Sequence, residues 1–142
     1  MAKASASIQI PVGADRVWQL IGGFNALPDW LPYIPESTSQ EGGRVRHLLN
    51  PEGGVIIERL MAFDEKARYY TYHIVQAPFP VKDYFSTLRV SDGPDGEGAL
   101  VEWSGEFSPV NASEQDVSLL FQGIYDDGLK ALKGHYEGHD NN

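Results

Sequence analysis

Two kinds of hydrophobic spacing divide the chain. Before residue 110, apolar side chains mostly alternate with polar ones, which is the period of a strand with one buried face. From Ser113 to about Tyr136 they recur every three or four residues, which is the period of an amphipathic helix. The apolar stripe of this helix comprises Val117, Leu120, Phe121, Ile124, Gly128, Leu129 and Leu132. The pattern predicts a run of strands followed by one long helix.

Turn-forming residues divide the first part into seven strands. They are predicted at Ala4–Ile10, Ser37–Glu41, Arg44–Asn50, Val55–Phe63, Arg68–Gln76, Lys82–Val90 and Ala99–Phe107. Asp15–Ile21 predicts a short helix, and the prolines of Asn25–Pro35 allow one further helical turn or an irregular corner. Strands and helices that are segregated along the chain favour an α+β fold. Because sheets twist, we expect a seven-stranded antiparallel sheet that curves around the long C-terminal helix, in one domain covering residues 1–142.

Composition and charge narrow the function classes. The 142 residues include 11 basic and 20 acidic side chains, for a net charge of −9, which disfavours nucleic acid and anionic membranes as partners. The absence of cysteine excludes disulfides and thiolate metal sites. The N-terminus lacks the apolar region of a secretory signal, and no apolar run is long enough for a membrane span. We therefore expect a cytoplasmic protein without membrane insertion.

Two charged residues share the parity of the apolar, inward-facing strand positions. Arg46 and Glu58 form either a polar anchor inside a cavity or a structural ion pair, unless the register turns one of them outward. Mostly apolar walls with a few polar groups are typical of a small-molecule pocket. The other candidate ligand-binding residues are Leu48, Asn50, Ile56, Tyr72, Tyr84, Ser86, Trp103, Phe121, Ile124, Tyr125 and Gly128.

Other chemistry finds little support in the sequence. His47 and His73 have the outward parity and are expected to be exposed, and no phosphate loop or nucleophile motif is present. We expect no metal ion and no cofactor. The loops Asn50–Gly54 and Ala77–Pro80 lie at the same end of adjacent strands, where they are either a gate at a pocket mouth or two ordinary hairpin loops.

The element order and several motifs resemble the START/Bet v 1-like (SRPBCC, helix-grip) superfamily, and within it the polyketide cyclase/dehydrase-like branch. The similar stretches are Val17–Phe24, Leu27–Pro32, Gly43–Arg46, Glu58–Leu60 followed by Asp64, Tyr70–Ile74, and Val101–Pro109. The resemblance covers nearly the whole chain. It implies a helix-grip fold with two short helices after the first strand, and a pocket for apolar or amphipathic molecules between sheet and long helix.

Three functions remain open on this basis. The leading hypothesis is a binding or carrier protein for a small hydrophobic or aromatic ligand of lipid-like or polyketide-like character. The second is a polyketide cyclase/dehydratase-type enzyme, in which Glu58 is the base, Tyr72 or Tyr84 donates to an enolate oxygen, and Arg46 holds a carboxylate or carbonyl. The third is a protein-interaction or regulatory module without a ligand.

Overall fold

The computed structural model describes residues 2–94 and 96–140. Strand β1 (Ala2–Ile10) is followed by the short helices α1 (Ala14–Ile21) and α2 (Leu27–Trp30), as predicted. The remaining strands are β2 (Glu36–Gln40), β3 (Val45–Leu49), β4 (Val55–Asp64), β5 (Tyr69–Gln76), β6 (Val81–Asp92) and β7 (Ala99–Pro109), with a 3-10 turn at Glu41–Gly43. The chain ends in the long helix α3 (Glu114–Asp140). The predicted α+β helix-grip fold is confirmed.

All seven strands form one antiparallel sheet in the order β1-β7-β6-β5-β4-β3-β2. Strands β2 to β7 pair with their neighbours in sequence, and β1 closes the order by pairing with β7. Helix α3 packs against β1 and β7 at one side of the sheet, and α2 contacts both α3 and β2. Helix α3 therefore lies closest to the β1–β7 side of the sheet, while strands β3–β5 lie farther from the helix.

Helix α3 begins as its sequence predicts. Ser113 caps it, because the Ser113 Oγ accepts a hydrogen bond of 3.0 Å from the backbone N–H of Asp116. The buried positions run through Val117, Phe121, Tyr125, Leu129 and Leu132. Leu120 was expected in this stripe but is 39% exposed, because it projects about 100° around the helix from Phe121. No helix in the described part of the chain is long and apolar enough to cross a membrane.

An extra residue in β4 changes which side chains face inward. The pairs Leu60–Tyr72 and Ala62–Thr71 leave Met61 without a partner, so β4 carries a β-bulge there. Beyond the bulge Phe63 pairs with Tyr70, and its ring packs 5.7 Å from that of Trp18. The strict alternation predicted for this strand therefore ends at Leu60.

Gly128 lets α3 approach the sheet closely. A Cβ atom at this position would lie 2.8 Å from Cζ3 of Trp103 and 2.9 Å from Cδ1 of Leu31. Both distances are shorter than side-chain contacts allow, so the space at Gly128 is filled by these two neighbours.

We predict opposite effects of alanine at two glycines of the same helix. Gly128→Ala should lower the free energy of unfolding by about 1–2 kcal/mol, because overpacking against Trp103 outweighs the gain in helix propensity. Gly123→Ala should raise it by up to about 1 kcal/mol, because a Cβ there meets nothing within 4 Å. Urea unfolding of both variants checks this, and stabilisation by Gly128→Ala would contradict the packing described here.

Candidate functional site

A pocket of about 430 Å³ lies between the concave face of the sheet and α3. It is lined by side chains from α2 and the following corner, from β3, β4, β5, β6 and β7, and from α3. Eleven of the thirteen residues proposed from the sequence line it: Arg46, Leu48, Asn50, Ile56, Glu58, Tyr72, Tyr84, Trp103, Phe121, Ile124 and Tyr125. The structure thus brings together residues that are up to 79 positions apart, from Arg46 to Tyr125.

Arg46 and Glu58 are directly opposite each other on β3 and β4 and form a buried ion pair. The Nη2 and Nε atoms of Arg46 lie 2.7 and 2.8 Å from Glu58 Oε1. The third nitrogen, Nη1, donates to the carbonyl oxygen of Phe24 at 2.7 Å and to Tyr70 Oη at 3.3 Å. The guanidinium carbon also lies 4.1 Å from the centre of the Phe24 ring. Every nitrogen of Arg46 is therefore engaged within the protein.

Glu58 keeps one oxygen atom uncommitted. Both hydrogen bonds from Arg46 go to Oε1, and Oε2 receives none from the described residues. Because Glu58 also lines the pocket, Oε2 is the hydrogen-bond acceptor that it offers there.

Burial dominates the electrostatics of this pair. Burial raises the pKa of the Glu58 carboxyl by more than Arg46 lowers it. Burial alone would lower the pKa of the Arg46 guanidinium, but Tyr70, Glu58 and Tyr72 together more than offset it, so that pKa is raised. Arg46 therefore stays charged, and Glu58 accepts a proton more readily than an exposed glutamate does.

Aromatic side chains close one end of the pocket through hydrogen bonds. The indole N–H of Trp103 donates to Tyr72 Oη at 3.1 Å and to Ser86 Oγ at 3.0 Å. The hydroxyl of Ser86 donates in turn to the carbonyl oxygen of Ser104 at 2.7 Å. Among the described residues the Tyr72 hydroxyl is seen only as the acceptor of the indole N–H, with Ser86 beside it, so its proton can also turn toward a ligand in the pocket.

Tyr84 and Tyr125 connect the sheet to the helix at the same end. Their hydroxyl groups are hydrogen-bonded to each other, and the Tyr125 hydroxyl lies against the backbone of Gly105 on β7. A side chain at Gly105 would occupy the position of that hydroxyl.

Burial raises the pKa values of the pocket tyrosines. The pKa of Tyr125 is raised to about 12 by burial, and those of Tyr72 and Tyr84 are raised well above the ordinary value for the same main reason. All three phenols are therefore neutral hydrogen-bonding groups at physiological pH.

Two proposed site residues do not line the pocket. Ser86 is held between Trp103 and the backbone of Ser104, where it orients the indole. Gly128 is covered by Trp103 and Leu31. Both residues support the wall instead of contacting the enclosed space.

The two loops considered as a gate both reach the pocket. Asn50 organises the first loop, because its Oδ1 accepts hydrogen bonds from the backbone N–H groups of Glu52 at 3.1 Å and Gly54 at 2.6 Å. In the second loop the ring of Phe79 packs edge-to-face on Phe121 at 5.4 Å. Asn50, Pro51, Glu52 and Phe79 all line the pocket. They form its rim, and whether they open and close remains a prediction.

The corner after α2 contributes residues that the sequence analysis missed. Leu27 of α2 and Leu31, Tyr33 and Ile34 of the corner line the pocket, whereas the sequence had predicted only that this proline-rich segment forms one helical turn or an irregular corner. The spacing of four between Leu27 and Leu31 was the available signal of a shared face. The Tyr33 hydroxyl is buried and has no hydrogen-bond partner among the described residues. Burial, followed by the charge of Asp127, raises its pKa to about 12.

His47 and His73 lie on the outer face of the sheet, as their parity predicts. They are half-buried, so the expectation that they are exposed was wrong. His73 stacks on Phe85 with ring centres 4.6 Å apart, and its Nδ1 lies 3.0 Å from the carbonyl oxygen of Tyr84. Within the described residues, no group of three or more His, Asp or Glu side chains is arranged to hold a metal ion.

Comparisons with known proteins agree with this architecture. A family model described as polyketide cyclase/dehydrase and lipid transport matches residues 1–137. The solved structure of the protein XoxI from Bacillus cereus is 56% identical, with 99% of each chain covered and a TM-score of 0.95.

Two more distant structures share the fold alone. A START superfamily protein from Mycobacterium smegmatis is 17% identical over 97% of this chain and 99% of its own, with a TM-score of 0.79. The di-domain ARO/CYC protein BexL from the BE-7585A biosynthetic pathway is 21% identical over 96% of this chain and 47% of its own, with a TM-score of 0.77.

We predict a large loss of stability when the buried ion pair is broken. Arg46→Leu should lower the free energy of unfolding by about 3–5 kcal/mol, because it leaves the Glu58 charge buried and unpaired. Arg59→Leu is the matched control, since Arg59 lies beside Glu58 on β4 and forms only an exposed pair with Glu41; it should cost less than about 1 kcal/mol. The double variant Arg46→Leu/Glu58→Leu should recover much of the loss in urea unfolding, and equal losses in the two arginine variants would refute this account.

We also predict that stability falls as pH rises above about 10. In the unfolded chain tyrosines ionise near pH 10, whereas Tyr72, Tyr84 and Tyr125 keep their protons to higher pH in the native protein. The native state then binds more protons, and each tyrosine removes about 1.4 kcal/mol per pH unit. Urea midpoints measured between about pH 9 and 11 check the slope. Tyrosinate absorbance that develops before unfolding in an amount matching all seven tyrosines would contradict the prediction.

Proposed function

The chain belongs to the polyketide cyclase/dehydrase and lipid transport family, and on that premise we propose that it binds a small hydrophobic or aromatic molecule of lipid-like or polyketide-like character in the pocket between sheet and α3. The observation that carries this proposal is the pocket itself. Its volume of about 430 Å³ suits a small molecule, and apolar walls surround a few polar groups.

The walls supply the free energy of binding in this proposal. Leu48 and Ile56 come from the sheet, and Phe121 and Ile124 come from the helix on the opposite side. A flat or elongated apolar molecule between them would lose contact with water on both faces, at a gain of about 25 cal/mol for each Å² of apolar surface buried. The polar groups at Glu58 and Tyr72 would set its orientation.

A second candidate is a cyclase/dehydratase-type enzyme that uses the same pocket. The specific observation in its favour is that the unpaired Oε2 of Glu58 and the free hydroxyl proton of Tyr72 both belong to residues lining the pocket. A carboxylate whose pKa is raised by burial is suited to remove a proton from a carbon next to a carbonyl, and a phenol can stabilise the enolate oxygen that results. Arg46 has no nitrogen left for a substrate carboxylate, so its part would be to hold Glu58 in place.

The cytoplasmic location and the ability to bind lipids belong to this proposal as predictions. The same holds for the absence of a nucleic-acid partner, for which the net charge of −9 is the argument.

A pair of tryptophan substitutions on α3 tests the binding function. Ile124→Trp should fill the pocket and weaken binding of the neutral apolar fluorescent probe N-phenyl-1-naphthylamine by about tenfold or more. Leu119→Trp is the control, because Leu119 is 63% exposed on the same helix and does not line the pocket; its affinity should match the wild type. Probe titration by fluorescence measures both.

The same experiment separates the candidate functions. Equal binding by both variants, or none by the wild type, would refute a ligand site in this pocket and favour the interaction module. Polyketide-like compounds that bind the wild type are then recovered after incubation and analysed by mass spectrometry. Unchanged compounds favour the carrier, whereas cyclised or dehydrated products that disappear in Glu58→Gln favour the enzyme.

A further inference from the structure

At the polar end of the pocket the basic group, Arg46, has no hydrogen-bond donor left for a ligand. Arg46 is 1% exposed, and each of its nitrogens already donates to a protein oxygen. Its guanidinium is covered by aromatic rings, with the ring centres of Phe24 and Tyr72 at 4.1 and 4.8 Å. A ligand carboxylate would have to displace Glu58 or Phe24 from the guanidinium to be neutralised there. The Arg46 guanidinium is therefore not available to bind an anionic ligand.

Only one of the two carboxylate oxygens of Glu58 accepts hydrogen bonds from the ion-pair partner. Glu58 Oε1 takes both hydrogen bonds from Arg46, and Oε2 takes none from the described residues. Because Glu58 lines the pocket, a ligand donor that reaches Oε2 forms a charge-assisted hydrogen bond, which is stronger than a bond to a neutral acceptor. The group that best completes this site carries an O–H.

The local charge disfavours both anions and cations. Arg46 and Glu58 neutralise each other, so the buried part of the pocket has no net charge to compensate an ionised ligand. Glu52 at the rim adds a negative charge, which repels anions at the entrance. An ammonium group at Oε2 would also be repelled by the nearby guanidinium. A neutral ligand avoids all of these costs.

Tyr72 is a second residue of the pocket that can hydrogen-bond to a ligand hydroxyl. The Tyr72 oxygen accepts the N–H of Trp103 at 3.1 Å and has Ser86 beside it, and its own proton can turn toward a ligand in the pocket. A ligand hydroxyl can both donate to Glu58 and accept from a phenol such as Tyr72, whereas an ionised carboxylate or a carbonyl group can only accept.

We propose that the pocket selects neutral ligands with an alcohol or phenol group, whose O–H donates to Glu58 Oε2, and that it discriminates against carboxylates such as fatty acids. This inference rests on the proposed binding function and specifies the chemical class of the ligand. It assigns Arg46 to positioning Glu58, not to binding an anionic headgroup.

Three probes with the same ring system test the selectivity. We would measure the binding of 2-naphthol, 2-naphthoate and naphthalene to the wild-type protein at neutral pH by displacement of N-phenyl-1-naphthylamine. The expected order is 2-naphthol first, naphthalene second and 2-naphthoate last, with 2-naphthol at least about tenfold tighter than 2-naphthoate because of its bond to a charged acceptor. Equal affinities, or tighter binding of 2-naphthoate, would overturn the proposal.

A single substitution tests the assignment to Glu58. In Glu58→Gln the guanidinium loses its counter-ion, so 2-naphthol should lose affinity, 2-naphthoate should gain affinity and naphthalene should change little. An unchanged preference for 2-naphthol in a folded Glu58→Gln variant would overturn the assignment. If this variant does not fold, the wild-type order together with Tyr72→Phe decides: a smaller advantage of 2-naphthol over naphthalene supports the proposal, and an unchanged advantage contradicts it.

The failure of this inference is distinguishable from failure of the proposed function. Binding of all three probes without preference leaves the pocket a ligand site and removes only the selectivity. Absence of binding for all three and for N-phenyl-1-naphthylamine would remove the binding function as well.

Discussion

Two opposite charges lie side by side on β3 and β4 in the interior of this protein, and neither can be there without the other. Taking the Arg46 guanidinium and the Glu58 carboxylate out of water costs several kcal/mol for each ion, which only close contact and further hydrogen bonds offset. The contact requires the direct pairing of these two positions in the β3–β4 register. It also requires the Phe24 carbonyl, and so ties the segment after α1 to the sheet. The pocket is built around this constraint.

Helix α3 and the sheet are in close contact at one end and separated at the other. Gly105 on β7 makes room for the Tyr125 hydroxyl, and Gly128 on α3 makes room for Trp103. Where these glycines allow close approach, aromatic rings and hydrogen bonds fill the interior. Toward the rim formed by Asn50, Pro51, Glu52 and Phe79 the space stays open. The absence of two side chains therefore helps to determine where a ligand has room.

Family membership and pocket chemistry bear on different questions. The family covers both cyclase/dehydrase and lipid transport functions, so it leaves open whether this chain transforms or only holds its ligand. The side chains show which groups of the pocket could act on a ligand, namely one carboxylate oxygen of Glu58 and the hydroxyl of Tyr72. Those groups serve to bind a hydroxyl and equally to move a proton. The proposed functions differ in whether the bound molecule has an acidic proton within reach.

The hydrophobic pattern alone determined the elements and, apart from β4 beyond Leu60 and from Leu120 on α3, the face that each one buries. Alternation placed Leu48, Ile56, Tyr72 and Trp103 inward, and the spacing of three and four did the same for Phe121 and Leu129. These predictions rest on local periods, which any strand or helix must obey. The twist of sheets then led to the expectation that the sheet curves around the long helix, and the family resemblance added a pocket for apolar or amphipathic molecules between them.

Contacts between distant segments were decided only by the tertiary structure. Parity left open whether Arg46 and Glu58 would pair, because register depends on how two strands align and not on either strand alone. It could not show that Met61 forms a bulge, that the corner after α2 lines the pocket, or that Ser86 and Gly128 support its wall. Sequence periodicity thus determined which residues face inward. The packing of the helix and the α2 corner on the sheet decided which of them enclose space, because a void is a property of opposing surfaces.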